Sequence, residues 1–138
     1  REICSILRLI TDLERMADHA VGIARITIKL ANDKYIKPLI DIPRMADLAA
    51  NMVKRALDAF VQKDIQLAKD TWHLDEEIDE IYKQMHRELL TYMMEEPRKI
   101  TQSTYFLFIS SHLERIADYA ENVCEKVVYI QTGDYRMK

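Results

Sequence analysis

The sequence has few residues that interrupt helices, with only 2 glycines and 3 prolines among its 138 residues. These two residue types are the strongest breakers of regular structure, and β-sheet proteins need them in frequent turns. Apolar residues make up 49% of the chain, enough for the core of one domain. The sequence therefore predicts an all-α fold, an antiparallel bundle of long helices.

The chain also lacks an excess of charge of one sign and any long apolar run. Its formal charge is −3 with lysine and arginine spread along the sequence, which argues against a nucleic-acid partner. No run approaches the roughly 20 apolar residues of a membrane span. The only cysteines, Cys4 and Cys124, lie far apart at helical positions. We expect both to be buried, reduced thiols in a cytoplasmic protein.

One octet occurs twice. Leu-Glu-Arg-Met-Ala-Asp-His-Ala at 13–20 returns as Leu-Glu-Arg-Ile-Ala-Asp-Tyr-Ala at 113–120, with six of eight residues identical. Both copies lie in helical patterns, so Glu14 and Asp18, like Glu114 and Asp118, are one turn apart on the same face. Like charges at this spacing destabilise a helix by roughly 0.2–0.5 kcal/mol. A metal cation that takes oxygen ligands would explain why the pair is present twice.

The repeated Glu-Arg-(Ile/Met)-Ala-Asp pattern resembles the Glu-x-x-x-Asp motif of PhoU-type phosphate-uptake regulators. The likeness continues in residues 57–60, 75–79 and 90–95 and covers essentially the whole chain. Alanine stands at 17 and 117 where the family commonly has glycine. The asparagine that the family places four residues after the motif is Asn122 in the second copy but Gly22 in the first.

The resemblance implies a domain organisation of three-helix repeats. Residues 1–34 correspond to the last helix of an incomplete first repeat, and residues 41–133 to a complete second repeat. The start of the sequence is already in helical rhythm without a cap, so we expect the chain to begin inside a helix, with two helices missing ahead of it.

Apolar spacing predicts four long helices. The first runs to about Asn32, the second from a cap at Asp41, the third from a cap at Asp64 to the Glu96-Pro97 break, and the last from about Thr101 to Gln131, before Gly133. The apolar stripe on the first helix contains Ile3, Ile6, Ile10, Leu13, Ala17, Val21, Ala24 and Ile28. We expect this stripe to be covered by helices of this chain or by another copy. The polar side of this helix should face outward, with Asp12 pairing with Arg15, and surface positions are expected for His19 and His112.

A third acidic pair, Asp75 and Asp79, lies on the third helix. Asp75 falls within the apolar stripe of that helix, where an unpaired acid is costly. Two interpretations stay open: Asp75 contributes to a metal groove, or it accepts hydrogen bonds from a neighbouring helix. The candidate ligands are therefore Glu14, Asp18, Glu114, Asp118 and Asn122, with Asp75 and Asp79 as further candidates.

No sequence motif indicates an enzyme. A Gly-rich phosphate loop, a nucleophile elbow and the Glu-x-x-His pairs of di-iron bundles are all absent. Oxygen ligands without histidine suit Mg, Ca or Mn, or a hydroxide-bridged iron cluster, and disfavour a structural zinc. The family resemblance implies that multinuclear iron or zinc centres occupy this motif in some members.

Three functions are compatible with these observations. By resemblance, the first is a non-enzymatic negative regulator of phosphate uptake that contacts the ATPase of the phosphate importer and the sensor histidine kinase of the phosphate regulon. Such a protein would associate with the membrane through its partners, and we expect a homodimer. The alternative is a carboxylate-bridged metalloprotein for metal storage or oxidation. The third is a helical assembly domain whose acids pair with arginines of neighbouring chains.

Overall fold

The computed structural model describes residues 1–137, which form five α-helices and contain no strand. The helices are α1 (Glu2–Leu30), α2 (Asp41–Gln62), α3 (Ile65–His73), α4 (Asp75–Glu95) and α5 (Ile100–Thr132). A short 3-10 helix, Pro97–Lys99, precedes α5. The predicted all-α bundle is confirmed.

Most of the predicted helix ends are confirmed. The side chain of Asp64 caps α3 by accepting a hydrogen bond from the backbone N–H of Leu67 at 2.9 Å. Gly133 ends α5 with a left-handed backbone, φ 76°. Glu95 is the last residue of α4, two positions before Pro97. The cap predicted at Asp41 is wrong by one residue, since Asp41 is the first residue of α2 and Ile40 precedes it.

The third predicted helix is present, but it is interrupted at one residue. Leu74 separates α3 from α4, and its backbone N–H bonds to the carbonyl oxygens of Thr71 and Trp72. Neither glycine nor proline marks this break in the sequence. The new helix begins with Asp75, Glu76 and Glu77, and negative charge is favourable at the positive end of a helix.

The long helix α5 is the centre of the bundle, because α1, α2, α3 and α4 all pack against it. Its buried apolar residues meet those of α2 and α4 in one core. The largest side chains there, each less than 2% exposed, belong to Phe106, Met45, Met52, Ile78, Met85 and Leu89. The methionines are core residues, as their spacing predicts.

Among the helices of residues 1–137, α1 packs against α5 alone. Lys29 lies over the ring of Tyr105, while Asp12, nearer the start of α1, contacts Lys126, nearer the end of α5. The two helices are therefore antiparallel. This arrangement sets the two copies of the octet side by side at the middle of the interface.

The apolar stripe predicted on α1 is present, but the helices of residues 1–137 do not cover it, and cover by another copy stays a prediction. The residues that α1 buries are Ser5, Leu9, Asp12, Met16, Ile26 and Leu30. The predicted stripe lies on the other side of the helix, where Ile3 and Ile28 are each 75% exposed. Apolar periodicity correctly located a continuous apolar face of α1, but that face is not the one in contact with α5.

Asp12 is buried rather than facing outward, and its predicted pairing with Arg15 is wrong. The Lys126 ammonium donates a hydrogen bond to the Oδ2 of Asp12 at 2.7 Å and a second to the Asn122 carbonyl oxygen at 3.3 Å. Both charged residues are under 10% exposed. A charge pair removed from water in this way must stay paired, so it fixes the register of α1 on α5.

The two cysteines lie in different environments. Cys124 is buried in the core, and burial raises the pKa of its thiol to about 12. Cys4 is exposed on α1, so the expectation that both thiols are buried is wrong for this residue. Within residues 1–137, each helix is too short or too polar to cross a lipid bilayer.

We predict that replacing Asp12 with Asn destabilises the protein by about 3–5 kcal/mol, because it leaves the buried charge of Lys126 without a counterion. The matched control is Asp58→Asn, which removes the exposed i,i+4 pair with Lys54 and should cost at most about 0.5 kcal/mol. Urea unfolding of the three proteins provides the comparison. Equal losses in both variants would show that the Asp12–Lys126 pair does not hold α1 in place.

Candidate metal centre

The second copy of the octet lies in the middle of α5, with Glu114 and Asp118 half-buried. The break at Leu74 starts α4 at Asp75, which is buried against this part of α5. Acids of two helices thus meet inside the bundle. The spacing of the octet along α5 and the start of α4 together position the site.

Three carboxylates converge at the centre of this acidic cluster. One carboxylate oxygen from each of Asp75, Asp118 and Glu121 lies within 4.8 Å of the other two. Asp75 is only 7% exposed, and its Oδ1 atom has no hydrogen-bonding partner among residues 1–137. An unpaired buried carboxylate oxygen is costly, so a donor or a cation at this point would stabilise the protein.

Burial and mutual repulsion raise the pKa values of these acids. Burial raises the pKa of Glu121 to about 9, and the negative charge of Asp75 adds to the effect. Burial also raises the pKa of Asp75 to about 6, with contributions from the charges of Asp79 and Asp118, although a hydrogen bond from Glu121 opposes the rise. Without a cation, Glu121 therefore carries a proton at neutral pH.

The motif acids show the same behaviour. Burial, followed by the charge of Asp118, raises the pKa of Glu114 to about 7. Burial raises the pKa of Asp118 as well; the hydrogen bond with Glu114 opposes this rise, and the charge of Asp79 adds to it. The cluster formed by Asp75, Asp79, Glu114, Asp118 and Glu121 can hold protons, or it can release them to bind a cation.

The donor set decides which cations fit. Carboxylate oxygens are the preferred ligands of Mg²⁺, Ca²⁺ and Mn²⁺, and they also bridge iron ions. No histidine or cysteine belongs to the converging group among the residues that the structure describes, which disfavours a structural zinc site. Asp75 contributes one of the converging oxygens and also carries the unpaired Oδ1.

Comparison with known proteins identifies the family. A family model described as "PhoU domain" matches residues 42–127. The chain belongs to the PhoU family. The "phosphate-specific transport system accessory protein PhoU homolog" of Aquifex aeolicus is 41% identical over 134 residues, 97% of this chain and 61% of the relative. The homologue of Clostridium acetobutylicum is 38% identical over 133 residues, 96% of this chain and 61% of the relative.

Solved PhoU structures have the same fold. The crystal structure of PhoU from Pseudomonas aeruginosa superposes with a TM-score of 0.91 at 37% identity, covering 95% of this chain and 63% of that one. The PhoU protein of Streptococcus pneumoniae, described as a phosphate transport system regulatory protein, gives 0.88 at 34% identity, with 97% and 63% covered. The chain thus spans about three fifths of the length of these PhoU relatives.

The structure brings only part of the predicted ligand set of this PhoU chain together. Asp118 and Asp75 converge, and Glu114 and Asp79 are close enough to shift the pKa values of their neighbours. Asp75 lies beside acids of α5, and Glu121 of that helix also donates a hydrogen bond to it, so both interpretations of Asp75 stay open. Asn122 is half-buried on α5, and its backbone carbonyl oxygen accepts a hydrogen bond from Lys126.

Glu121 is the member of the site that sequence reasoning missed as a ligand. It follows Asp118 by three residues and Glu114 by seven, so it lies on the same face of α5 as the motif acids. That spacing was the available signal. The signal is weak by itself, because exposed helices often carry acids at such intervals.

Glu14 and Asp18, the first predicted pair, are exposed on α1. They belong to no converging group of acids within residues 1–137. Because α1 packs only against α5 among the described helices, no second helix of residues 1–137 lies opposite them. The two copies of the motif therefore have the same acids but different surroundings, and a metal site at the first copy remains a prediction.

The expected surface positions of His19 and His112 are wrong. Both rings are half-buried between α1 and α5, and their Nδ1 atoms are 2.8 Å apart. Burial, followed by the nearby His112 and Arg115, lowers the pKa of His19, while Asp18 opposes the change. His112 and Glu114 lie on different sides of α5, facing α1 and α4 respectively.

We predict that the metal-free protein loses stability as the pH rises from about 4, where these acids titrate in the unfolded chain, to about 9. Because their pKa values are raised in the folded state, these acids bind more protons in the folded than in the unfolded protein across this interval. Their protonation therefore contributes its full stabilisation at pH values below the pKa values of the unfolded chain. This stabilisation is lost as the pH rises through about 6, 7 and 9, the folded-state pKa values of Asp75, Glu114 and Glu121.

Glu121→Gln tests the origin of this effect. The neutral amide cannot ionise, so the decline should be shallower, and the variant should be more stable than the parent at alkaline pH. Denaturant midpoints measured across the pH range give the comparison, with Glu80→Gln on the exposed face of α4 as the control. Parallel curves for all three proteins would contradict the assignment.

Proposed function

We propose that this protein is a non-enzymatic accessory protein of phosphate transport that negatively regulates phosphate uptake and phosphate-regulon signalling. The observation that supports this function is its likeness to relatives named as accessory proteins of the phosphate-specific transport system, which extends over 96–97% of the chain. The proposed partners are the ATPase of the phosphate importer and the sensor histidine kinase. Its location is cytoplasmic, at the membrane through these partners.

The acidic cluster is the proposed metal site. Asp75, Asp118 and Glu121 would be the central ligands, with Glu114 and Asp79 at the edge, and Asn122 assisting as the family resemblance implies. The oxygen donors favour Mg²⁺, Ca²⁺, Mn²⁺ or an iron cluster. The convergence of the carboxylates and the unpaired Oδ1 of Asp75 support this assignment.

We further propose that α1 belongs to a different three-helix repeat from the other helices. The family model matches residues 42–127 and excludes α1, which contacts the remaining helices only through α5. Its exposed apolar face and the adjacent Glu14 and Asp18 would then be covered by helices of that other repeat, or by another copy in a homodimer. Those helices would supply the second side of the first metal site.

A cation would change the charge that a partner meets. The cluster carries several negative charges when its protons are lost, and a multivalent ion neutralises them and offers open coordination positions. Electrostatic complementarity mainly controls partner choice and association rate. Metal occupancy would thus determine which partner surface the protein accepts.

We predict that replacing Glu114 with Gln and Asp118 with Asn reduces the metal content of protein purified without chelator, while the fold persists. The apo form should be as stable as the parent or more stable, because repulsion between the two acids is relieved. The control is Glu14→Gln with Asp18→Asn, which changes the exposed pair on α1 and should leave the metal of the cluster in place.

Elemental analysis and thermal unfolding provide both measurements. Unchanged metal content in the Glu114/Asp118 variant would place the ligands elsewhere. An aerobic ferroxidase assay on the same samples separates the regulator from the alternative, a metal-storage or oxidase-like bundle, because turnover is expected only of the alternative.

We predict that a full-length version with both repeats binds the cytoplasmic region of the sensor kinase more tightly with metal than without it. The Glu114→Gln/Asp118→Asn variant should lose that difference, since it can no longer hold the ion. Biolayer interferometry with and without chelator measures the two affinities. Equal affinity under all conditions would mean that the acids are structural and that recognition uses another face of the bundle.

A further inference from the structure

A pair of histidines lies at the interface of α1 and α5, on the side of α5 opposite the acidic cluster. The Nδ1 atoms of His19 and His112 are 2.8 Å apart, and their ring centroids are 5.1 Å apart with the planes inclined by 57°. Both rings are half-buried. The two nitrogens therefore face each other at a position that solvent still reaches.

The backbone of α1 makes room for this pair. A Cβ atom at Gly22 would lie 2.7 Å from both Cε1 and Nε2 of His112, too close for an ordinary contact. The ring of Tyr119 packs near His19, with centroids 5.9 Å apart. Glycine at position 22 thus lets His112 approach α1, and the tyrosine limits the movement of His19.

The separation of the nitrogens is close to that of two ligands on one metal ion. With metal–nitrogen bonds of about 2.0–2.1 Å, two imidazole nitrogens lie about 2.9 Å apart at a right angle and about 3.3 Å apart at the tetrahedral angle. In the metal-free pair the two Nδ1 atoms share a hydrogen bond of 2.8 Å. To bind one ion, the Nδ1 proton moves to the Nε2 of its own ring, and both rings turn so that the two Nδ1 lone pairs point at the ion. Neutral imidazole is a ligand suited to Zn²⁺, Ni²⁺ and Cu²⁺ rather than to Mg²⁺ or Ca²⁺.

We propose that His19 and His112 form a binding site for a transition-metal ion of the zinc, nickel or copper type, separate from the carboxylate cluster and linking α1 to α5. The two Nδ1 atoms are the protein ligands, and water completes the coordination on the exposed side. Because α5 is the only helix of residues 1–137 against which α1 packs, an ion held here adds a cross-link to the interface that positions α1.

Binding of Cu²⁺ to this chain, followed by electron paramagnetic resonance, tests the site directly, because coordinated imidazole nitrogens split the copper signal and carboxylate oxygens do not. We expect splitting from two nitrogens in the parent. The signal should persist in the Glu114→Gln/Asp118→Asn variant, so failure of the acidic site and failure of this one are distinguishable.

Three variants locate the ligands. His19→Ala and His112→Ala should each weaken Cu²⁺ binding at least tenfold, since loss of even an outer partner of a ligand typically costs about 10–100-fold in metal affinity. Gly22→Ala keeps both histidines but displaces the His112 ring, so it should also weaken binding. His86→Ala, an exposed histidine of α4, is the control and should change nothing.

The Gly22→Ala variant keeps the test decisive if a histidine variant fails to fold, because alanine is a better helix residue than glycine. Equal Cu²⁺ affinity in the parent and in the Gly22 and histidine variants would overturn the proposal. A copper signal without nitrogen splitting in the parent would overturn it too. Equal loss in His86→Ala would show that surface histidines bind the ion without a defined site.

Discussion

The structure depends on the burial of α5, which other helices cover along its length. Charged and ring side chains on the covered faces of such a helix have little access to solvent, so they need partners from other helices. Lys126 meets Asp12, and His112 meets His19, both on α1. The acids Glu114, Asp118 and Glu121 instead meet Asp75 and Asp79, which carry the same charge, and this is the part of the interface that remains unbalanced.

The fold was predictable wherever a helix has a single apolar face. The rarity of glycine and proline and the regular apolar spacing in α2 were sufficient for the bundle and for most helix ends. The apolar stripe of α1 from Ile3 to Ile28 was predictable too, but the side that contacts α5 was not, because that side is less apolar than the exposed stripe. Apolar periodicity identifies the residues that share an apolar face of a helix, but it does not specify which neighbouring helix covers that face.

The site was predictable in part, because local spacing along one helix indicates some of its residues but not their contacts with other helices. The octet identified Glu114 and Asp118, and an acid within an apolar stripe identified Asp75. The contacts between His19 and His112 and between Asp12 and Lys126 join residues 93 and 114 positions apart, which no local spacing indicates. Leu74 was also hidden, since the turn that it forms depends on packing rather than on a residue that breaks helices.

The two copies of the octet show why a motif alone does not make a site. Antiparallel packing of α1 and α5 brings the copies side by side, but α4 faces only the second one. There burial, together with the charges of neighbouring acids, raises the pKa values of Glu114 and Asp118, whereas the first pair is exposed. Gly22 and Asn122 occupy equivalent positions, and the glycine admits His112. The same eight-residue pattern therefore gives a buried acidic cluster in one copy and an exposed face beside a histidine pair in the other, because the surrounding helices differ.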